Sequence, residues 1–246
     1  MPKPERIWII GASDGIGAEL ARAYAAQGAQ LVLSARSQDR LEALAAELGA
    51  GHIVLPMDVG DRVSVDAAEA QIAAAGRLDR LVHLAALYDP GRIEDLDPDM
   101  AAQIVSVNVM GSFHIAQIAP KVLRAGGQVA LCGSVAGYVG LPQGQIYSAS
   151  KAAVINLAES LRAELQGQFD VRLISPGFVD TRLTQRNDFD MPAMMTPQAA
   201  AAAIVSGLSG GGFEVHFPKR LTLSLKLLRI LPYWAALPLT RRLSRH

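Results

Sequence analysis

The chain of 246 residues has one cysteine, Cys132, so an internal disulfide is excluded. Its neighbours are apolar, which suits a small core residue. No uncharged apolar run reaches the roughly 18 residues of a membrane span. The opening MPKPERIWII has too short an apolar run for a secretory signal, which makes a cytoplasmic location the expectation. No group of His, Cys, Asp and Glu has metal-ligand spacing, so no metal site is expected. Net charge is also lacking: Lys+Arg and Asp+Glu both number 23, which gives no hint of nucleic acid. Acid is missing altogether from one region. No Asp or Glu follows Glu214, and residues 219–246 carry seven basic residues, against a body with 16 basic and 23 acidic residues.

What is present is an α/β pattern. Half the residues are hydrophobic, enough for a sizeable core. Short apolar runs read as strands at 6–10, 31–34, 52–56, 81–86, 128–133, 171–175 and 213–217. Helical segments separate them at 15–28, 38–48, up to Ala75, after Pro98, at 144–166 and from Pro197. Strands alternating with helices predict a doubly wound parallel sheet of about seven strands, covered on both faces. No internal repeat or linker interrupts it. Residues 1–218 are expected to form one dinucleotide-binding and catalytic domain, with 219–246 as an extension.

Between the first strand and first helix stands IIGASDGIG, with Gly11, Gly15 and Gly17. Glycine allows a tight turn and a close backbone approach to a pyrophosphate, and the helix start favours anions. The second strand ends LVLSARS, with Arg36 19 residues after Gly17 and no acid before Asp39. An arginine there suits the 2′-phosphate of NADP(H), where NAD(H) calls for a carboxylate. The alternative is that Arg36 is a solvated start to the next helix. Asp14, inside the loop, adds negative charge and gives NADP(H) no support.

YSASK, residues 147–151, places Tyr147 four residues before Lys151, on one face of a helix. A fixed ammonium beside a phenol favours the phenolate and brings proton transfer toward neutral pH.

Together these motifs resemble the short-chain dehydrogenase/reductase family over roughly residues 5–217. The resemblance implies cofactor contacts from Gly11, Ser13, Gly15, Ile16 and Gly17, from Asp58 and Val59 after the third strand, and from Ala85. It also implies contacts from Pro176, Gly177, Val179 and Thr181 after the sixth strand, and from Tyr147 and Lys151. It implies a catalytic set of Asn108, Ser134, Tyr147 and Lys151, with Ser134 13 residues before Tyr147. The reaction implied is hydride transfer between a nicotinamide and a carbonyl or alcohol carbon. A regulatory cofactor-binding protein, or a non-redox reaction such as epimerisation, is the alternative on the same scaffold. Homodimers or homotetramers are common in the family. One departure stands out. Where the family has Asn-Asn-Ala-Gly, this chain has His83, Leu84, Ala85 and Ala86. That bears on local packing and cofactor affinity rather than on proton transfer.

Residues 177–195 read as a loop, where the family places its substrate lid. Phe178, Phe189, Met191, Met194 and Met195, with Tyr88, suggest an apolar carbonyl or alcohol substrate. The alternative is that the methionines pack the lid on the body. Residues 219–231 read as an amphipathic helix. Lys219, Thr222, Lys226 and Arg229 form its basic face; Leu221, Leu225, Leu228 and Leu231 form its apolar one, widened by Leu223, Leu227 and Ile230. Such a helix, followed by Tyr233 and Trp234, can lie on an anionic membrane surface, or pack on the body or a partner subunit with its basic face answering the acidic body.

Overall fold

The computed structural model describes residues 4–186 and 191–242. Phe189 lies outside the described residues. Seven parallel strands form one sheet in the order β3-β2-β1-β4-β5-β6-β7. They are β1 (Arg6–Ile10), β2 (Gln30–Ser34), β3 (Ile53–Val54), β4 (Leu78–His83), β5 (Leu123–Cys132), β6 (Asp170–Pro176) and β7 (Glu214–Phe217). The helices are α1 (Gly15–Ala26), α2 (Gln38–Leu48), α3 (Arg62–Ala75), α4 (Pro98–Ile104), α5 (Gly111–Val122), α6 (Gln145–Glu164), α7 (Pro197–Ser209), α8 (Lys219–Ile230) and α9 (Tyr233–Arg242).

The alternation of side chains along β1 shows why both faces are covered. Ile7 and Ile9 enter one core with Leu20 and Tyr24 of α1, Leu41 of α2 and Ile204 of α7. Trp8 and Ile10 enter the other with Ile72 of α3, Ile118 of α5 and Val154 of α6. β1 pairs with β2 on one side and β4 on the other, so the strand order reverses between them. A crevice opens outside the carboxyl ends of strands at such a reversal.

Four elements differ from the sequence reading, one of them β5, which begins at Leu123, paired with Leu78, rather than at Gln128. β4 ends at His83, not Ala86. Its register runs Ile7↔Arg80 to Ile10↔His83, and β1 turns away at Gly11, so pairing stops after the Leu84 N–H donates to the Ile10 carbonyl at 2.8 Å. Arg80 hides the strand's true start in the sequence. It is buried, hydrogen-bonded to the Tyr24 hydroxyl and paired with Glu5. β3 is cut to two residues at the sheet edge, although Leu55 and Met57 still donate to carbonyls along β2 and beyond it. Residues 233–242 form a helix that the sequence, with Pro238 inside it, did not suggest.

The tail packs α8 on the body by its expected apolar residues Leu225 and Leu228, but two residues read onto its basic face, Thr222 and Lys226, turn inward with them. Thr222 is fully buried, bonded to His216 Nδ1 at 2.6 Å and to the Pro218 and Lys219 carbonyls. Lys226 reaches the Glu214 carboxylate and lies 5.5 Å from the Tyr138 ring centre. Leu225 and Leu228 enter the core beside them. Leu223, Leu227 and Ile230 face outward, with Lys219, Arg220, Ser224 and Arg229.

Candidate active site

The glycine loop closes on itself at the end of β1. Gly11 sits at φ +89°, and a Cβ there would lie 2.7 Å from the Ala85 backbone nitrogen. A Cβ on Gly17 would lie 2.0 Å from the Gly11 carbonyl oxygen, so α1 starts directly against the strand end. Asp14 caps α1 by accepting from the Gly15 N–H at 2.7 Å. Its carboxylate also pairs with Arg182 from the loop after β6 and stands 3.7 Å from Arg40. The cradle left by the missing side chains, with a helix N-terminus behind it, suits a pyrophosphate.

Ser134 closes β5 and begins a short turn, its Oγ accepting from the Ala136 N–H at 3.1 Å. The first turn of α6 sets Tyr147 beside it, and Lys151 follows on the same face. Lys151 is buried; its Nζ donates to the Cys132 carbonyl at 2.8 Å and lies 5.7 Å from the Tyr147 ring centre. Burial lowers the Lys151 pKa from its ordinary value. Burial raises that of Tyr147, reinforced by Cys132 and Tyr88, while a hydrogen bond with Ser134 pulls the other way. The sequence reading expected the ammonium to favour the phenolate. With Lys151 turned to the Cys132 carbonyl, burial raises the Tyr147 pKa instead.

Between α4 and α5 the helix widens into a π-helical turn over Val105–Met110. Asn108 sits in this turn, buried, behind the cleft wall. Its side chain accepts from the Leu87 N–H at 2.7 Å and donates to the Leu87 carbonyl and the Ser150 hydroxyl, both at 2.9 Å. Ser150 in turn donates to the Tyr147 carbonyl at 2.7 Å. Asn108 is thereby joined to the backbone that carries Tyr147. His83 is buried in the same region, and neither ring nitrogen finds a hydrogen-bond partner among the described residues. Burial and the Lys151 charge push its pKa down to about 3, so it is a neutral strand-end residue.

Every cofactor residue expected from the sequence lines one cleft of about 550 Å³, with Ser134 and Tyr88. Tyr88 meets the Tyr147 ring edge-on, with centres 4.6 Å apart. Asp58 sits in the wall, its carboxylate accepting from the Gly60 N–H at 2.9 Å. Arg36 is exposed at the cleft and shares it with Arg40. Phe178, Met191, Met194 and Met195 are not in the lining. Met195 instead packs on the core and pairs with Val179, holding the loop to the body. Sequence reasoning missed Arg40, Arg182, Ser150 and Thr184, whose hydroxyl bonds the Thr181 N–H and the Val179 carbonyl. Arg40 had a signal, since it lies one helical turn beyond Arg36; Arg182 and Thr184, in an irregular loop, had none.

The family model described as short chain dehydrogenase matches residues 5–191. The chain belongs to the short-chain dehydrogenase/reductase family. An uncharacterised oxidoreductase of Staphylococcus haemolyticus is 34% identical over 206 residues, covering 82% of this chain and 89% of the relative. The 11-beta-hydroxysteroid dehydrogenase-like 3 protein of Arabidopsis thaliana is 32% identical, over 86% of this chain and 72% of the relative. A short-chain dehydrogenase of Sphingobium yanoikuyae, solved in complex with NADPH, superposes with a TM-score of 0.81 at 26% identity, over 97% and 94% of the two chains. As a member of the family, the protein is an NAD(P)-dependent oxidoreductase.

Proposed function

We propose that this short-chain dehydrogenase/reductase is an NADP(H)-dependent enzyme that interconverts a carbonyl and a secondary alcohol on an apolar substrate. One observation carries the reading: Ser134, Tyr147 and Lys151 share a cleft with the glycine cradle. A nicotinamide bound there supplies the hydride. Tyr147, held as a phenol by burial, donates the proton to the substrate oxygen. Ser134, in the same cleft, orients that oxygen. Lys151 places its charge beside the Tyr147 ring, and Asn108 would hold a water that links Lys151 to solvent. Val179 and Thr181, pinned by Thr184, would face the carboxamide of the cofactor.

Arg36 and Arg40, both at the cleft, support NADP(H) over NAD(H), as does the NADPH bound to the Sphingobium yanoikuyae protein. The steroid dehydrogenase name of the Arabidopsis thaliana relative and the aromatic wall of Tyr88 support an apolar substrate, such as a steroid-like, fatty or isoprenoid carbonyl. In this reading residues 1–218 form the catalytic domain of a cytoplasmic homodimer or homotetramer, and 219–246 are an extension.

The test incubates the purified protein and NADPH with a lipid extract and a panel of apolar ketones, read by mass spectrometry. Species that gain two hydrogens with the wild type and not with Tyr147→Phe are the expected result. General acid catalysis contributes about 10²–10⁴-fold, so turnover should fall by that factor while NADPH binding stays. A Tyr147→Phe protein that keeps wild-type turnover refutes the role of Tyr147.

A further inference from the structure

The outward face of α8 and α9 is apolar. On α8, Leu223, Leu227 and Ile230 are 56%, 60% and 77% exposed and follow one another at helical spacing. Tyr233 and Trp234 come next, each 81% exposed, and Leu237 follows one turn after Trp234 at 60%. Their opposite faces are committed to the body through Thr222, Leu225, Leu228 and Ala236. The apolar ridge is therefore not a misplaced core side.

Its borders are basic. Lys219 and Arg220 stand exposed at the start of α8, and Arg241 is exposed one turn beyond Leu237 on the same face of α9. No acidic residue occurs anywhere after Glu214. Leucines flanked by Arg and Lys, with a tyrosine and a tryptophan among them, are the composition of a helix lying in a lipid interface. No helix among the described residues is long and apolar enough to cross a membrane. We propose that the α8–α9 face docks on the surface of an anionic lipid bilayer.

Charge decides between lipid and a second copy of this chain. A two-fold contact through this face would bury the basic residues that border it, Lys219 and Arg220 among them, against a segment that carries no acid. Anionic headgroups meet the same cations favourably, while the leucines and Trp234 enter the acyl boundary. The placement also bears on substrate. Leu221, in the first turn of α8, lies within 2.9 Å of where a Cβ on Gly177 would stand, and Gly177 lines the cleft. The helix that would rest on lipid thus abuts the pocket that would take an apolar carbonyl.

The chain offers its own probe. It has two tryptophans; Trp8 is fully buried with its Nε1 bonded to the Ser34 hydroxyl at 2.8 Å, so a change in emission on adding lipid reports Trp234. Full-length protein is mixed with vesicles of equal parts phosphatidylglycerol and phosphatidylcholine, and with phosphatidylcholine alone. The expected result is a blue shift and co-sedimentation with the anionic vesicles, weakened by salt. The Leu227→Glu, Leu237→Glu double variant, altered at exposed positions, should melt like the wild type and bind about tenfold or more weakly. Wild-type protein that neither shifts nor sediments overturns the proposal, as does a double variant that binds like the wild type. A double variant that drops to a smaller oligomer, with no vesicle binding by either form, assigns the face to a second copy instead. Binding is read without turnover, so the outcome is independent of the proposed reaction.

Discussion

Arg36→Ala isolates cofactor choice, because Arg36 is exposed and makes no contact that the fold requires. Its guanidinium lines the cleft beyond β2, with Arg40 one turn further along α2. Against a 2′-phosphate it offers a hydrogen bond to a charged group, worth about 1.5–3 kcal/mol. The Coulomb part is modest at a wet surface, about 1 kcal/mol for a pair at 4 Å in water. Arg40 offsets part of the loss, but Asp14 at 3.7 Å shares its charge. A net cost of about 2 kcal/mol corresponds to roughly a 30-fold drop in kcat/KM for NADPH. The same change removes nothing that a 2′-hydroxyl needs, so NADH should be used as before. Steady-state kinetics with both cofactors measures the ratio, and raising the salt should shrink it, since the pair is exposed. If kcat/KM falls in parallel for NADPH and NADH, or for neither, Arg36 does not read the 2′-phosphate.

Two further substitutions test the cradle and the tail network. Gly17→Ala puts a methyl 2.0 Å from the Gly11 carbonyl oxygen, a backbone atom that cannot swing aside, so the rise in Tm on adding NADPH should vanish; an undiminished rise would refute the cradle. Glu214→Gln tests a pH-linked contact. Burial raises the Glu214 pKa, but hydrogen bonds from Lys226 and Tyr138 help to outweigh it, so the folded value lies below the ordinary 4.5. A depressed folded pKa gives stability that is present above pH 4.5 and lost as pH falls through the folded value. The variant should therefore melt lower than the wild type at neutral pH and approach it in acid; a gap in Tm that stays constant with pH would refute the linkage.

The sheet was legible because parallel strands buried on both faces are short apolar runs, and each here is bounded by a glycine, a proline or a helix cap. The limits of β3 and β4 were not, because they depend on a neighbour. β4 starts within RLDR because Tyr24 and Glu5 satisfy Arg80, and it stops where Gly11 takes β1 away. The cleft residues were legible because their spacing is local to strand ends and to one helix turn. Ser150 escaped notice although it sits inside YSASK, since its role depends on Asn108, 42 residues away in sequence and brought over by a π-helical turn. The direction of the Tyr147 shift also needed the fold, because the spacing of Tyr147 and Lys151 says nothing of the Cys132 carbonyl to which the lysine turns.

The tail shows why residue type alone mislabels a helix face. Sorting α8 by polarity puts Thr222 and Lys226 outside. The fold puts them inside because β7 supplies partners there, His216 for the hydroxyl and Glu214 for the ammonium. Glu214 also accepts from the Tyr138 hydroxyl, and Tyr138 ends the turn that begins with Ser134. The last acid of the chain is thus spent internally, tying α8 to the turn that holds the Ser134 hydroxyl. What remains outside is apolar and basic. Thr222 and Lys226 turn inward beside Leu225 and Leu228 because His216 and Glu214 of β7 receive them, while Leu223, Leu227 and Ile230 stay outside. Glu214→Gln should therefore loosen α8 and disturb the Ser134 turn together, so its loss of Tm at neutral pH should come with a loss of turnover that Leu227→Glu, on the outer face, does not share.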